Sequence, residues 1–187
     1  MDCGRIISGL VAGACGTMPI GGTATRAVII NYQDIDRDNS TETVKGIIDT
    51  LVLKSQKKGF LFETVQNANE GGASFERGTY FDTYTHNVTL RLFTKGNETK
   101  TWMESLKGSR VVILLENREQ GEGHWEVYGW DSGLTLSENT YSTTFADNVV
   151  YNPTFASDDT SHEGALPKTF YDTDDATTES AIQALLA

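Results

Sequence analysis

Side chains whose type and spacing suit chemistry are few in this chain. Asp34-Ile-Asp36-Arg-Asp38 matches the first three ligand positions of a calcium loop. However, Asn39 stands where such a loop needs Gly, and Lys45 stands where it needs a bidentate Glu. The expectation is a solvated acidic loop. Asp172, Asp174, Asp175 and Glu179 form a second acidic cluster with no better ligand spacing. His86, His124 and His162 do not pair at metal-ligand spacing, and the first two are expected on strand surfaces. Cys3 and Cys15 are too few for a four-thiolate or mixed zinc site and read as reduced thiols. There is no Gly-x-Ser-x-Gly elbow and no Gly-rich phosphate loop followed by Lys. The sequons at Asn39, Asn87 and Asn97 read as chance matches. The sequence therefore predicts no catalytic residue, no metal and no cofactor, hence a structural or binding protein and not an enzyme.

The elements that would position any site come from a chain of 187 residues and 20.5 kDa, the size of one domain. Its net charge of −11 excludes a basic nucleic-acid reader, since DNA phosphates would repel it overall. No apolar run reaches the roughly 20 residues of a membrane-spanning helix. Residues 131–187 hold ten acidic side chains and a single cation, Lys168, so the acidity is concentrated there. That stretch reads either as a solvated C-terminal arm or as a surface kept from adhering to a polyanion. Ile6–Ala14 before Cys15 faintly resembles a lipoprotein signal, but its charged flank is weak, its apolar run is broken, and no large aliphatic residue stands three positions before the cysteine.

The fold class predicted is mainly β, an antiparallel barrel or sandwich with one flanking helix and extended terminal arms. Thr is abundant and Pro scarce, which favours pleated structure. Expected strands are 26–32, 46–54, 59–66, 84–94, 109–117, 123–130 and 133–137. Val88, Leu90 and Leu92 alternate with polar residues, the period of a half-buried strand. Val111–Leu115 is apolar without a break, so both of its faces should be covered, one by the core and the other by a helix or another subunit. The one convincing helix is expected over Glu98–Lys107, with Asn97 as its cap and Gly108 as its stop. A short amphipathic turn with Ile182, Leu185 and Leu186 is expected at the end of the chain. The domain plan is an arm over 1–25, a β-barrel domain over 26–137 with a long loop at 67–82 and a helix at 98–107, and an acidic arm over 138–187. Tyr151, Phe155, Phe170 and Tyr171 would anchor that last arm on a neighbour or on its own body.

The opening Cys3-Gly4, Leu10, Cys15-Gly16, Pro19 and Ala27-Val-Ile-Ile-Asn31 resembles the start of tailed-bacteriophage tail tube proteins. Gly108-Ser-Arg-Val-Val-Ile-Leu-Leu-Glu-Asn117, His124-Trp-Glu-Val-Tyr-Gly129 and Asp131-Ser-Gly-Leu134 resemble their central hairpin. The similarity runs through residues 1–137 in order. It implies a virion protein, made in the host bacterial cytoplasm, whose homo-hexameric rings stack into the tail tube. Tape-measure protein and genomic DNA would pass through that tube without specific binding. Tail terminator and distal tail proteins would be further partners, with no membrane involved. The same fold also serves as the inner tube of contractile tails and injection systems. A different class, a monomeric surface-anchored β-sandwich binding module, is the alternative. Under the tube reading, Asp49, Glu63 and Glu126 are candidate lumen-facing carboxylates. Candidate subunit and ring contacts are Val111, Ile113, Leu115, Phe75, Tyr80, Phe81, Tyr151, Phe155, Phe170 and Tyr171.

Overall fold

A computed structural model describes residues 20–142, 150–158, 160 and 162–187. The chain is mainly β. In order it forms β1 (Thr23–Asn31), β2 (Ile47–Ile48), β3 (Phe60–Glu63), β4 (Glu70–Glu76), β5 (Thr83–Thr89), α1 (Asn97–Ser105), β6 (Arg110–Asn117), β7 (Trp125–Tyr128), β8 (Leu134–Tyr141), β9 (Tyr151–Ala156), β10 (Lys168–Phe170) and α2 (Asp175–Leu186). β6 is the hub. One of its edges pairs with β1, and the other is shared between β8 at its start and β7 farther on. From β7 the sheet continues to β10 and then, in parallel, to β2; from β8 it continues through β9 and β5 to β4. β3 is attached through β1 alone. The result is one open mixed sheet and not a closed barrel, one of the two antiparallel forms (barrel or sandwich) expected from sequence. The sheet branches at β6, and among the described strands β3 and β4 each keep one unpaired edge.

The unbroken apolar run in β6 has the predicted consequence. Val111, Ile113 and Leu115 point into one core with Ala27 and Ile29 of β1, Val88 of β5, Met103 of α1, Leu134 of β8 and Phe155 of β9. Val112 and Leu114 point the other way, into a second core with Val28, Ile30, Trp125, Val127, Phe170, Ile182 and Leu185. Alternate side chains of one strand thus feed two cores, which is what a strand covered on both faces requires. The cover on the second face comes from β10, α2 and the segment around Ile35, Ile48 and Leu51 of the same chain.

Several expectations are corrected. Residues 70–76, read as loop, form β4, which pairs with β5 along its whole length. The described residues of the expected acidic arm over 138–187 are integral to the fold: β8 runs on to Tyr141, and Tyr151, Phe155, Phe170 and Ile182 of β9, β10 and α2 supply buried bulk, so the arm is anchored on its own body. Strand 46–54 shrinks to Ile47–Ile48. In α1 the cap is Gly96 and Asn97 is already helical. Gly108, with φ of +70°, follows the helix in the left-handed region where Gly is favoured. Of the expected N-terminal arm over residues 1–25, residues 23–25 already belong to β1, and residues 1–19, with Cys3 and Cys15, lie outside the described residues.

Candidate assembly surface

In the β4–β5 hairpin, β4 and the turn are largely exposed, whereas β5 faces the body. Its register runs from Glu70 opposite Thr89 to Glu76 opposite Thr83, and residues 77–82 close the turn. β9 supports β5 only across Asn87, Val88 and Thr89, so the outer half reaches past that neighbour. Phe75 stacks edge-on against Tyr84 opposite it, with ring centres 5.7 Å apart, yet remains 55% exposed. At the tip Tyr80 and Phe81 are 89% and 82% exposed. Three aromatics at one strand end and turn are thus left in water.

Strand β5 of this hairpin is held to the body from its middle to its turn end. His86 is buried; its Nδ1 accepts the Gly129 N–H at 3.2 Å and its Nε2 faces the Ala165 carbonyl at 2.9 Å. That pattern requires the neutral ring protonated on Nε2, and burial lowers the His86 pKa in the same sense. Glu163 exchanges two backbone hydrogen bonds with Tyr84, both 2.9 Å. Its buried carboxylate accepts the N–H groups of Asp131 at 2.7 Å and Ser132 at 2.9 Å. Burial pushes the Glu163 carboxyl upward, opposed by these two bonds. At the start of β4, Gly71 lies against β7, where a Cβ would sit 2.4 Å from the Tyr128 hydroxyl. Tyr128 in turn donates to Glu126 at 2.6 Å, and burial raises its pKa. β5 is thus clamped to the body as far as Tyr84, while Phe75 on β4 and Tyr80 and Phe81 in the turn stay exposed.

The other residues singled out from sequence fall in different places. Val111, Ile113 and Leu115 lie inside the chain's own core and offer no side-chain surface to a neighbour. Tyr151, Phe155 and Phe170 are buried likewise, in place of the expected contact to another copy, whereas Tyr171 is half-buried just after β10. Asp49 is tied down by Thr41 Oγ1 and the Thr43 N–H, both at 3.0 Å. Glu63 is exposed on edge strand β3. Glu63 stands opposite Arg26, which lies on the α2 side of the sheet, while Glu126 stands opposite Leu115, which faces the other core. Glu63 and Glu126 therefore project from opposite faces.

The acidic motifs have structural partners. Asp36 is engaged by Asn39, whose Nδ2 donates at 2.8 Å and holds the carboxyl below its usual range. Asp34 accepts from Asn31 and pairs with Lys57. Asp174 caps α2 by accepting the Thr177 N–H at 2.8 Å, and Asp175 accepts the Gly121 N–H at 3.0 Å. Among the described residues no three His, Cys, Asp or Glu side chains are gathered to hold a metal ion.

Sequence reasoning missed a second exposed apolar zone. Phe60 and Leu61 on β3 are 48% and 45% exposed, Val65 just beyond β3 is exposed, and so is Phe93. Trp102 of α1 stacks on Phe62 at 5.8 Å, and two clefts of about 260 and 440 Å³ lie against it. The larger cleft is lined by Leu61, Phe62, Glu63, Leu92, Glu98, Thr99 and Trp102. The signal in the sequence was the consecutive Phe60-Leu61-Phe62, which no one-faced strand can bury completely. No protein-family model, curated protein or solved structure matches this chain.

Proposed function

We propose that the chain is a structural subunit that self-associates into the tube of a bacteriophage tail, the conduit through which DNA is ejected. The observation that carries this reading is the β4–β5 hairpin. Its strand β5 is fixed to the body by His86 and, through Tyr84, by Glu163, while β4 and the turn expose Phe75, Tyr80 and Phe81. Rigid aromatic side chains supply large contact area at little entropic cost, so such a tip gains most by docking on another copy. A surface patch that fits a different surface on the next copy is heterologous, and heterologous contacts generate rings or filaments.

Two further features agree. The free edge of β4 allows a sheet that is open in one chain to be continued by a neighbour around a ring. A net charge of −11 suits a wall along which DNA slides without counterion-releasing contacts. In this reading the subunits form hexameric rings that stack, with exposed Glu63 the lumen candidate least committed to internal bonds. Sedimentation velocity of the wild type and of a Phe75→Ser, Tyr80→Ser, Phe81→Ser triple variant tests it. The reading expects large wild-type assemblies and a folded, cooperatively melting variant that stays monomeric. Identical sedimentation of the two chains as monomers would overturn it.

A further inference from the structure

The apolar zone on β3 and α1 is separate from the hairpin and calls for its own cover. We propose that it is the seat of residues 6–18 of the same chain. Among the described strands β3 presents a free edge, along which Phe60 on the α1 face and Leu61 on the opposite face are about half exposed, and the two clefts beside Trp102 form a trough next to it, the larger lined also by Glu63, Glu98 and Thr99.

Three observations select this occupant. The first is where the described chain begins. The Asn67 N–H bonds the Thr23 carbonyl and the Thr64 N–H bonds the Thr25 carbonyl, so residues 20–22 lead into β1 beside the end of β3. The second is length. β3 pairs with β1 from Arg26 to Ile29, so the far end of the trough is about seven residues along β1 from Gly22, roughly 23 Å at strand rise. A preceding segment of 19 residues spans up to about 60 Å when extended, more than twice that distance. The third is composition. Ile6, Ile7, Leu10, Val11 and Met18 are apolar, and the only charged side chains before residue 20, Asp2 and Arg5, cancel. In a chain of net charge −11, this is the segment with the least electrostatic reason to stay in water. Tethering gives it an effective concentration in the millimolar range at the trough, an advantage that a separate molecule lacks.

The chain carries its own probe, because its only two cysteines, Cys3 and Cys15, lie in this segment or just before it. Full-length Cys3→Ser, Leu61→Cys and Cys3→Ser, Val44→Cys variants are oxidised mildly at low protein concentration. Both substituted positions are exposed, and Val44 lies away from β3, next to β2. The expected result is an intrachain disulfide from Cys15 to the thiol introduced at position 61. It should form about tenfold or more faster than the bond from Cys15 to the thiol introduced at position 44, read by non-reducing electrophoresis and peptide mass. A Cys3→Ser, Phe60→Cys variant, also on β3, provides a second position and should favour the same kind of intrachain bond. Equal rates at positions 44 and 61 would overturn the proposal. Disulfide-linked dimers in place of intrachain bonds would also overturn it, by assigning the seat to another copy.

Discussion

Arg26 on β1 grips Glu179 on α2 through two parallel hydrogen bonds, Nη1 to Oε1 at 2.7 Å and Nη2 to Oε2 at 2.9 Å. The same guanidinium also holds Glu116 of β6, with Nε to Oε2 at 3.1 Å and Nη2 to Oε1 at 2.6 Å, and lies 5.2 Å from the centre of the Trp125 ring. One cation therefore fastens the C-terminal helix to the central strands. Glu116 is almost fully buried, so removing Arg26 strips it of its bidentate partner and leaves it His124 Nε2 at 3.3 Å. Arg26→Met should cost about 3 kcal/mol in urea unfolding at pH 7. Glu179→Gln should cost about 1 kcal/mol or less, because its carboxylate is a third exposed and screened. The Arg26 bonds hold the Glu179 carboxyl below its ordinary value of 4.5. Its contribution is thus complete above that pH and is lost as pH falls through the folded value. A larger loss in Glu179→Gln than in Arg26→Met would contradict this division of roles.

The last quarter of the chain carries part of the core. Ile182 is fully buried beneath α2, and Phe155 and Phe170 are fully buried on β9 and β10. Ile182→Ala should cost about 2–5 kcal/mol, the range for emptying a buried aliphatic site. Truncation after Ser137 should abolish cooperative melting in calorimetry. A sharp unfolding transition in the truncated chain would show that β9, β10 and α2 are dispensable.

The neutral His86 on β5 makes stability depend on acidity. Its folded pKa lies below the ordinary 6.5 because of burial, with the Ala165 bond and the charges of Asp131 and Glu126 opposing the shift. Below pH 6.5 the unfolded chain takes up a proton that the folded chain refuses, so this contribution is present above that pH and fades beneath it. Glu163 acts in the opposite sense, since burial raises its pKa and its carboxylate becomes costlier as pH rises from 4.5. Comparison with His86→Gln isolates the imidazole. Moving from pH 7.5 to 5.5, the wild type should lose about 1 kcal/mol relative to the variant, seen as a convergence of their melting temperatures. Parallel pH curves for the two chains would contradict the assignment.

Gly71 is a steric requirement. A Cβ there would lie 2.4 Å from the Tyr128 hydroxyl and 2.9 Å from Leu115 Cδ2, both on buried residues. Gly71→Ala should destabilise by about 1–3 kcal/mol. Gly21→Ala, with nothing within 4 Å of the new methyl, should be nearly silent. Chemical denaturation of the pair checks this, and equal effects would remove the packing argument.

Much of the central sheet was legible because β6 and β1 are apolar at consecutive positions, a pattern few arrangements tolerate. α1 was legible from its amphipathic spacing and the Gly residues at both ends. β4 was not, because Glu70-Gly-Gly-Ala-Ser-Phe-Glu76 has no buried face to alternate with a solvent face, and its order comes from pairing with β5. The acidic end of the chain misled through averaging. Tyr151, Pro153 and Phe155 alternate inward along β9, and Thr178, Ile182 and Leu185 share one face of α2 at helical spacing. Both patterns were present beneath a surface of Asp and Thr. His86 was placed on a strand surface because its burial depends on Gly129 and Ala165, both distant in sequence.

Electron microscopy of the purified full-length chain across a concentration series tests the tube reading most directly. The account predicts rings or hollow tubes of uniform diameter that appear as concentration rises and are lost in the Phe75, Tyr80, Phe81 triple variant. Dispersed monomers at every concentration, indistinguishable from that variant, would contradict it.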